Sequence, residues 1–222
     1  MSNGSIKIKV VPTGLLDVNC CLVSNADTKE IFLIDPGGNE DFIYEYITKN
    51  DADLKCILHT HAHFDHIAGG SALIEKYYKD HNIPVYLHSE DQYLWDNISS
   101  QASMFGISVA AQSVKINNFL KDNDVLDICG LKVGVMHTPG HSPGSCTFSL
   151  NVDEDILVVG DVIFKNSIGR TDLWKGDYEV LMKSINDKIL THPDKTRIIA
   201  GHGPDTTVGE EKKLNPFLSD LR

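Results

Sequence analysis

The run His61-Ala62-His63-Phe64-Asp65-His66 gathers imidazoles and a carboxylate into one short stretch, and further residues of the same chemistry stand alone at His141, Asp161 and His202. Nitrogen and oxygen donors in that number suit two divalent cations, with a position left open for a bridging hydroxide. His61 and His63, one residue apart on an extended segment, can aim at one ion while Asp65 and His66 turn toward a second. A single surface histidine carries little weight, because polar residues are mostly exposed for reasons unrelated to metal. The cluster as a whole points to a metal-dependent hydrolase. A cation pair lowers the pKa of a shared water toward neutrality, and it stabilises the negative charge that grows on an attacked carbonyl oxygen.

The elements that must carry these donors are legible in the hydrophobic pattern. Leu54 to Leu58 reads as a short strand and Ile67 to Tyr78 as an amphipathic helix, which places the histidine run on a strand-to-helix loop. Strands are expected at Ile6 to Val11, Cys20 to Ser24 and Glu30 to Ile34, followed by a helix over Asn39 to Lys49. A strand at Pro84 to Leu87 and a helix near Glu90 to Ser99 follow, and Gln101 to Lys121 reads as a loop over the site. Strands then recur at Val125 to Ile128, Leu131 to Met136, Ser145 to Leu150 and Ile156 to Val159. A helix over Asp177 to Leu190 and a strand at Thr196 to Ala200 close the pattern, the latter delivering His202. Meanders with covering helices fit an α+β fold of two facing sheets with helices on their outer sides. Ligands would then lie at strand ends or in the loops just beyond.

A chain of 222 residues, 41% apolar and 23% charged, fits one soluble domain spanning residues 1–222. The formal charge of −11 disfavours nucleic acid and anionic lipid as partners, since phosphate binding needs clustered Lys and Arg. No export signal is read in the opening segment and no apolar run approaches membrane length, so a cytoplasmic location is expected. Cys20, Cys21, Cys56, Cys129 and Cys146 sit mostly in apolar runs and read as reduced, buried thiols. Nothing in the sequence sets an oligomeric state.

Thr60 to His66 matches Thr-His-x-His-x-Asp-His, the signature of the metallo-β-lactamase superfamily, and the chain resembles that family over nearly its whole length. Ile34-Asp35-Pro36-Gly37 is similar to the family's early strand-end acid. Thr138-Pro139-Gly140-His141 is similar to its Thr-Pro-Gly-His turn, and Gly160-Asp161 and Gly201-His202-Gly203 to its later ligand positions. The resemblance implies a four-layer αββα sandwich. It also implies one metal at His61, His63 and His141, a second at Asp65, His66 and His202, and a bridging Asp161. Asp65 and Asp161 would be the carboxylates of the catalytic centre, and Asp35 would support it by accepting a hydrogen bond from the loop or from a ligand imidazole. Zinc is the expected metal, with iron and manganese compatible with the same donors.

Within the superfamily the chain most resembles glyoxalase II of the short bacterial type, through Ser167-Ile168-Gly169-Arg170-Thr171-Asp172, Gly201-His202-Gly203-Pro204-Asp205-Thr206-Thr207 and Glu210 to Phe217. That resemblance implies a thioester substrate, S-lactoylglutathione or a related compound, split by metal-activated hydroxide. A thioester suits the site because a thiolate leaves without the positioned acid that an alkoxide or amide nitrogen requires. Arg170 is assigned a contact to a glutathione carboxylate, with a tie to its own loop through Asp172 as the alternative. Longer members continue into a helical region that supplies basic groups for glutathione, whereas this sequence ends at Arg222. The rival reading is a mononuclear-iron dioxygenase acting on glutathione persulfide, which shares the histidine run and the Gly-Arg-Thr-Asp segment. A lactonase and a non-catalytic metal-binding module stand behind it. His137 and His59 read as supporting histidines, and His81, His88 and His192 as surface or structural ones.

Overall fold

Continuous apolar runs at 20–23, 31–34 and 156–159 build two sheets covered on both faces, because successive side chains of a strand point to opposite faces. In the computed structural model, which describes residues 6–110, 112, 114–116 and 118–221, each sheet has six strands. Residues 1–5, read above for an export signal, lie outside the described residues. The first sheet runs in order through β1 (Ile6–Thr13), β2 (Val18–Asn25), β3 (Glu30–Ile34), β4 (Asp53–Leu58), β5 (Val85–His88) and β6 (Asn118–Leu120). The first three strands pair antiparallel and β3 through β6 pair parallel.

The second sheet is built from β7 (Val125–Ile128), β8 (Leu131–His137), β9 (Cys146–Asn151) and β10 (Asp155–Gly160). A small hairpin of β11 (Ile163–Phe164) and β12 (Ser167–Ile168) stands apart, and β13 (Arg197–Ala200) and β14 (Thr206–Thr207) complete the sheet in the order β14-β13-β10-β9-β8-β7.

The two sheets face each other across one apolar core. Cys21, Val23, Phe32, Ile34 and Leu58 from the first meet Val133, Val135, Phe148, Leu150 and Val158 from the second. Burying each such side chain contributes about 1.5–3 kcal/mol. On the outer face of the first sheet, Leu33 and Ile57 pack with Ile43 and Ile47 of α1 (Glu40–Lys49), Ile67 and Leu73 of α2 (Phe64–Tyr77), Trp95 of α3 (Gln92–Asp96) and Ile98 of α4 (Ile98–Met104). On the outer face of the second, Leu157 and Ile198 pack with Leu181 of α5 (Tyr178–Ser184), with Ile185 and Ile189 in the π-helical turn that follows it, and with Val208 of α6 (Val208–Leu214). The layers are therefore helix, sheet, sheet, helix. The cysteines are free and buried.

Several elements differ from the sequence reading. Helix α2 begins at Phe64, not Ile67, so Asp65 and His66 lie in its first turn and only His61 and His63 precede it. A carboxylate is favourable there because it faces the partial positive charge of the helix N-terminus. The helix expected near Glu90 to Ser99 is a 3₁₀ turn at Ser89–Asp91 followed by α3 and α4. Helix α4 reaches Met104 because Ile98 and Ala102, one turn apart, are both buried against α2 and the sheet. Gln101, read as the start of a loop, thus belongs to a helix. Asn118 to Leu120 is the edge strand β6, too short to show a period of its own.

Candidate metal centre

The donors leave the carboxyl ends of strands that lie side by side. Asp35 follows β3, the run from His59 to His63 follows β4, Asp161 follows β10 and His202 follows β13. His141 stands in the turn between β8 and β9. Backbone bonds sew the two sheets together at this edge: Cys146 N–H donates to Thr60 O (2.7 Å) and Asn19 N–H to Gly201 O (2.7 Å). The Asn19 amide donates onward to Ala200 O (3.0 Å) and Gly203 O (2.8 Å), bracketing His202 from β2.

All of the expected ligand residues come together. One potential ligand atom each from His61, His63 and His141 lies within 4.8 Å of the others, and the same holds for Asp65, His66 and His202. Asp161 stands between the groups: its Oδ1 is 3.3 Å from His66 Nε2, and its Oδ2 is 3.6 Å from His141 Nε2 and 3.7 Å from His202 Nε2. Asp65 Oδ2 is 3.2 Å from His202 Nε2. A β-carbon on Gly201 would collide with Asp161 Oδ1 and crowd His66, so only glycine leaves this space open.

Imidazole orientation is set from behind. His61 Nδ1 lies 3.0 Å from Thr60 Oγ1, His66 Nδ1 lies 3.0 Å from Asp35 Oδ2, His141 Nδ1 lies 2.8 Å from Arg170 O, and His202 Nδ1 lies 2.9 Å from Leu16 O. These Nδ1 contacts leave Nε2 of each of the four rings as the nitrogen available to the centre. Asp35 also accepts Thr60 N–H (2.8 Å) and the Thr60 hydroxyl, so the hydroxyl is left to accept from His61. Asp35, after β3, adopts a left-handed backbone (φ 50°) to reach these partners.

Electrostatics divide the centre. Burial, reinforced by neighbouring histidines, holds His61 well below the ordinary imidazole pKa and His63 down to about 3, so both are neutral and able to ligate. Burial opposes charge on His66 as well, but Asp161, Asp65 and Asp35 outweigh it and raise its pKa. Burial likewise opposes ionisation of Asp35, yet His66 and His59 hold its carboxyl at about 2, and His66 holds Asp161 lower than the usual carboxylate range.

Buried polar atoms are normally hydrogen-bonded. Here His61 Nε2, His66 Nε2 and Asp161 Oδ1 are buried without a hydrogen-bond partner, and His63 turns Nδ1 to within 2.8 Å of His141 Nε2. Unsatisfied donor atoms converging from several elements are what a cation-binding pair of sites requires, and the residues present fit two divalent ions.

Sequence reasoning missed several supports. Asp91, at the end of the 3₁₀ turn, accepts Ala62 N–H (2.9 Å), Gly144 N–H (2.6 Å) and Ser142 Oγ (2.8 Å), which pins the His61–His63 run to the His141 turn. The Gln101 amide donates to Ala62 O (3.0 Å) from α4. Neither residue carries a local signal, since each acts on backbone far away in the chain. The Arg170 guanidinium lies beside the centre, but its Nε and Nη2 both donate to Asp172, at 2.7 and 2.8 Å. The supporting histidines lie as follows: His59 is buried behind Asp35, and His137 stacks on His88 and contacts Pro143 O at 2.8 Å.

The profile of the metallo-beta-lactamase superfamily matches residues 13–202. The chain is similar to hydroxyacylglutathione hydrolase GloC of Haemophilus influenzae, with 34% identity covering 96% of this chain and 99% of that protein. Among solved structures it resembles the BLEG-1 B3 metallo-beta-lactamase (TM-score 0.86, 36% identity, covering 96% of this chain and 100% of that one). It also resembles TTHA1623 in a di-iron-bound form (TM-score 0.80, 32% identity, covering 95% and 100%). No helix among the described residues is long and apolar enough to cross a membrane.

Proposed function

Because this chain belongs to the metallo-beta-lactamase superfamily, we propose that its metal-dependent hydrolase chemistry is directed at thioesters, S-lactoylglutathione or a related compound. His61, His63 and His141 would hold one ion, and Asp65, His66 and His202 the other, with Asp161 shared between them. Zinc fits these donors, as do iron and manganese. Bound there, such ions supply an activated water and a Lewis acid.

The protein's own residues support the thioester reading. Beyond the ligand set, the titratable residues lining the adjoining cavity are Arg170 and Asp172. The hydrogen bond from Arg170 holds Asp172 at about 2, so at neutral pH it is ionised and has no proton to give. An amide or alkoxide leaving group needs a proton from a positioned acid, whereas a thiolate does not. This absence of a donor among the described lining residues is the observation that carries the thioester reading. In the overall step the C–S bond breaks, a C–O bond forms from water, and carboxylate and thiol leave with one proton released to solvent. The Asp35, Thr60, Arg170 and Leu16 contacts keep the imidazoles aimed while this happens.

The test is to load the protein with zinc, iron or manganese and follow S-lactoylglutathione, a lactone, a β-lactam and glutathione persulfide with one preparation. Thioester cleavage exceeding the lactone and lactam rates supports the reading. Oxygen uptake on the persulfide without thioester cleavage contradicts it.

A further inference from the structure

The cavity above the centre, about 280 Å³ in volume, has the proposed ligands as its floor and an apolar wall around them. Leu16, Phe64, Leu94, Met104, Phe105 and Trp174 supply that wall. Its rim is exposed: Met104 is 79% accessible, Phe105 46% and Leu16 42%. Clustered exposed apolar side chains next to a reactive centre mark a surface that a ligand covers.

The wall is also braced. Phe64 and Phe105 pack at 5.4 Å between ring centroids, and Trp174 stacks on Tyr93 of α3 at 4.4 Å. Gln101 donates to both Ala62 O and Leu94 O, so α4 is tied to the loop that bears His61 and His63. Polar recognition groups are sparse by comparison. Arg170 is the lone Lys or Arg among the described lining residues, and the Nε–Nη2 edge of its guanidinium is paired with Asp172, which offsets its charge. A glutathione thioester brings two carboxylates, and an anionic group gains strongly only from a cation free to receive it.

Resting on the thioesterase reading, we propose that the site selects thioesters with an extended apolar acyl group, and that Met104 and Phe105 determine this specificity. The acyl chain lies against the α4 wall with its carbonyl at the centre, while the thiol portion leaves toward solvent.

The test uses the metal-loaded protein and N-acetylcysteamine thioesters from acetyl to hexanoyl, beside paired lactoyl thioesters of N-acetylcysteamine and of glutathione. Even partial burial of the added methylenes raises kcat/KM about tenfold or more from acetyl to hexanoyl. Phe105→Ser and Met104→Ser, at exposed positions with folding checked by circular dichroism, shrink that gain to about threefold or less. A carboxylate gripped by a free cation is worth about tenfold, so the two lactoyl thioesters should differ by less than that. A flat chain-length series, or a tenfold preference for glutathione, overturns this inference while leaving the hydrolase reading intact. Failure to cleave any thioester overturns both.

Discussion

The carboxylate of Asp91 accepts the backbone N–H of Ala62, the residue between two candidate ligands, from 29 positions farther along the chain. The same carboxylate holds Ser142 and Gly144, so one buried acid fixes the spacing between the histidine run after β4 and the turn that carries His141. Burial raises its pKa, and the bonds from Ser142, Ala62 and Gly144 work against that rise.

Asp91→Asn keeps a single acceptor oxygen, which leaves at least one of these buried donors unpaired. That costs about 1–3 kcal/mol of stability, and loosened support for the ligands lowers metal affinity by about 10–100-fold. Thermal denaturation with competitive metal titration checks both effects. A variant with unchanged affinity would remove Asp91 from the positioning of the site.

Thr60→Val preserves shape but deletes the hydroxyl that links Asp35 to His61. Freed from its acceptor, the His61 ring loses its preferred tautomer, and metal affinity should fall about tenfold or more. Thr60→Ser should restore most of the loss. Chelator competition reads the result, and equal affinities for Val and wild type would refute the relay.

Asp161→Ala removes the carboxylate that approaches His66, His141 and His202 together. Turnover should drop by about two orders of magnitude or more, and metal content should fall below that of the wild type. Near-normal turnover contradicts a shared ligand.

The centre was legible largely where chemistry and spacing are local. Thr60 to His66 brings its donors together through one strand end and one helix start, so the pattern itself reports the cluster. His141, Asp161 and His202 are single residues, and the family resemblance singled them out. Asn19, Asp91 and Gln101 were silent, because they bind backbone groups 181, 29 and 39 residues away, and nothing in their own neighbourhoods marks that role. Strand β6 and the β11–β12 hairpin were missed for a different reason: two or three residues are too few to display a period. The start of α2 was misplaced because its first turn is made of the donors themselves, which break the apolar pattern.

Arg170→Ala should leave discrimination between substrates almost untouched. Its charge is offset by Asp172, which accepts from Nε and Nη2 at 2.7 and 2.8 Å, so a substrate carboxylate meets a neutral pair and not a bare cation. KM values for glutathione and non-glutathione thioesters should therefore move together, by less than about threefold. A rise confined to glutathione substrates would show that the fork leaves Asp172 to grip a substrate carboxylate.

Anomalous diffraction from crystals of the metal-loaded protein tests the central claim most directly. The account predicts two peaks about 3.5–4 Å apart, one against His61, His63 and His141, the other against Asp65, His66 and His202, with Asp161 reaching both. A single peak at full occupancy, or Asp161 turned away from the metal, would contradict it.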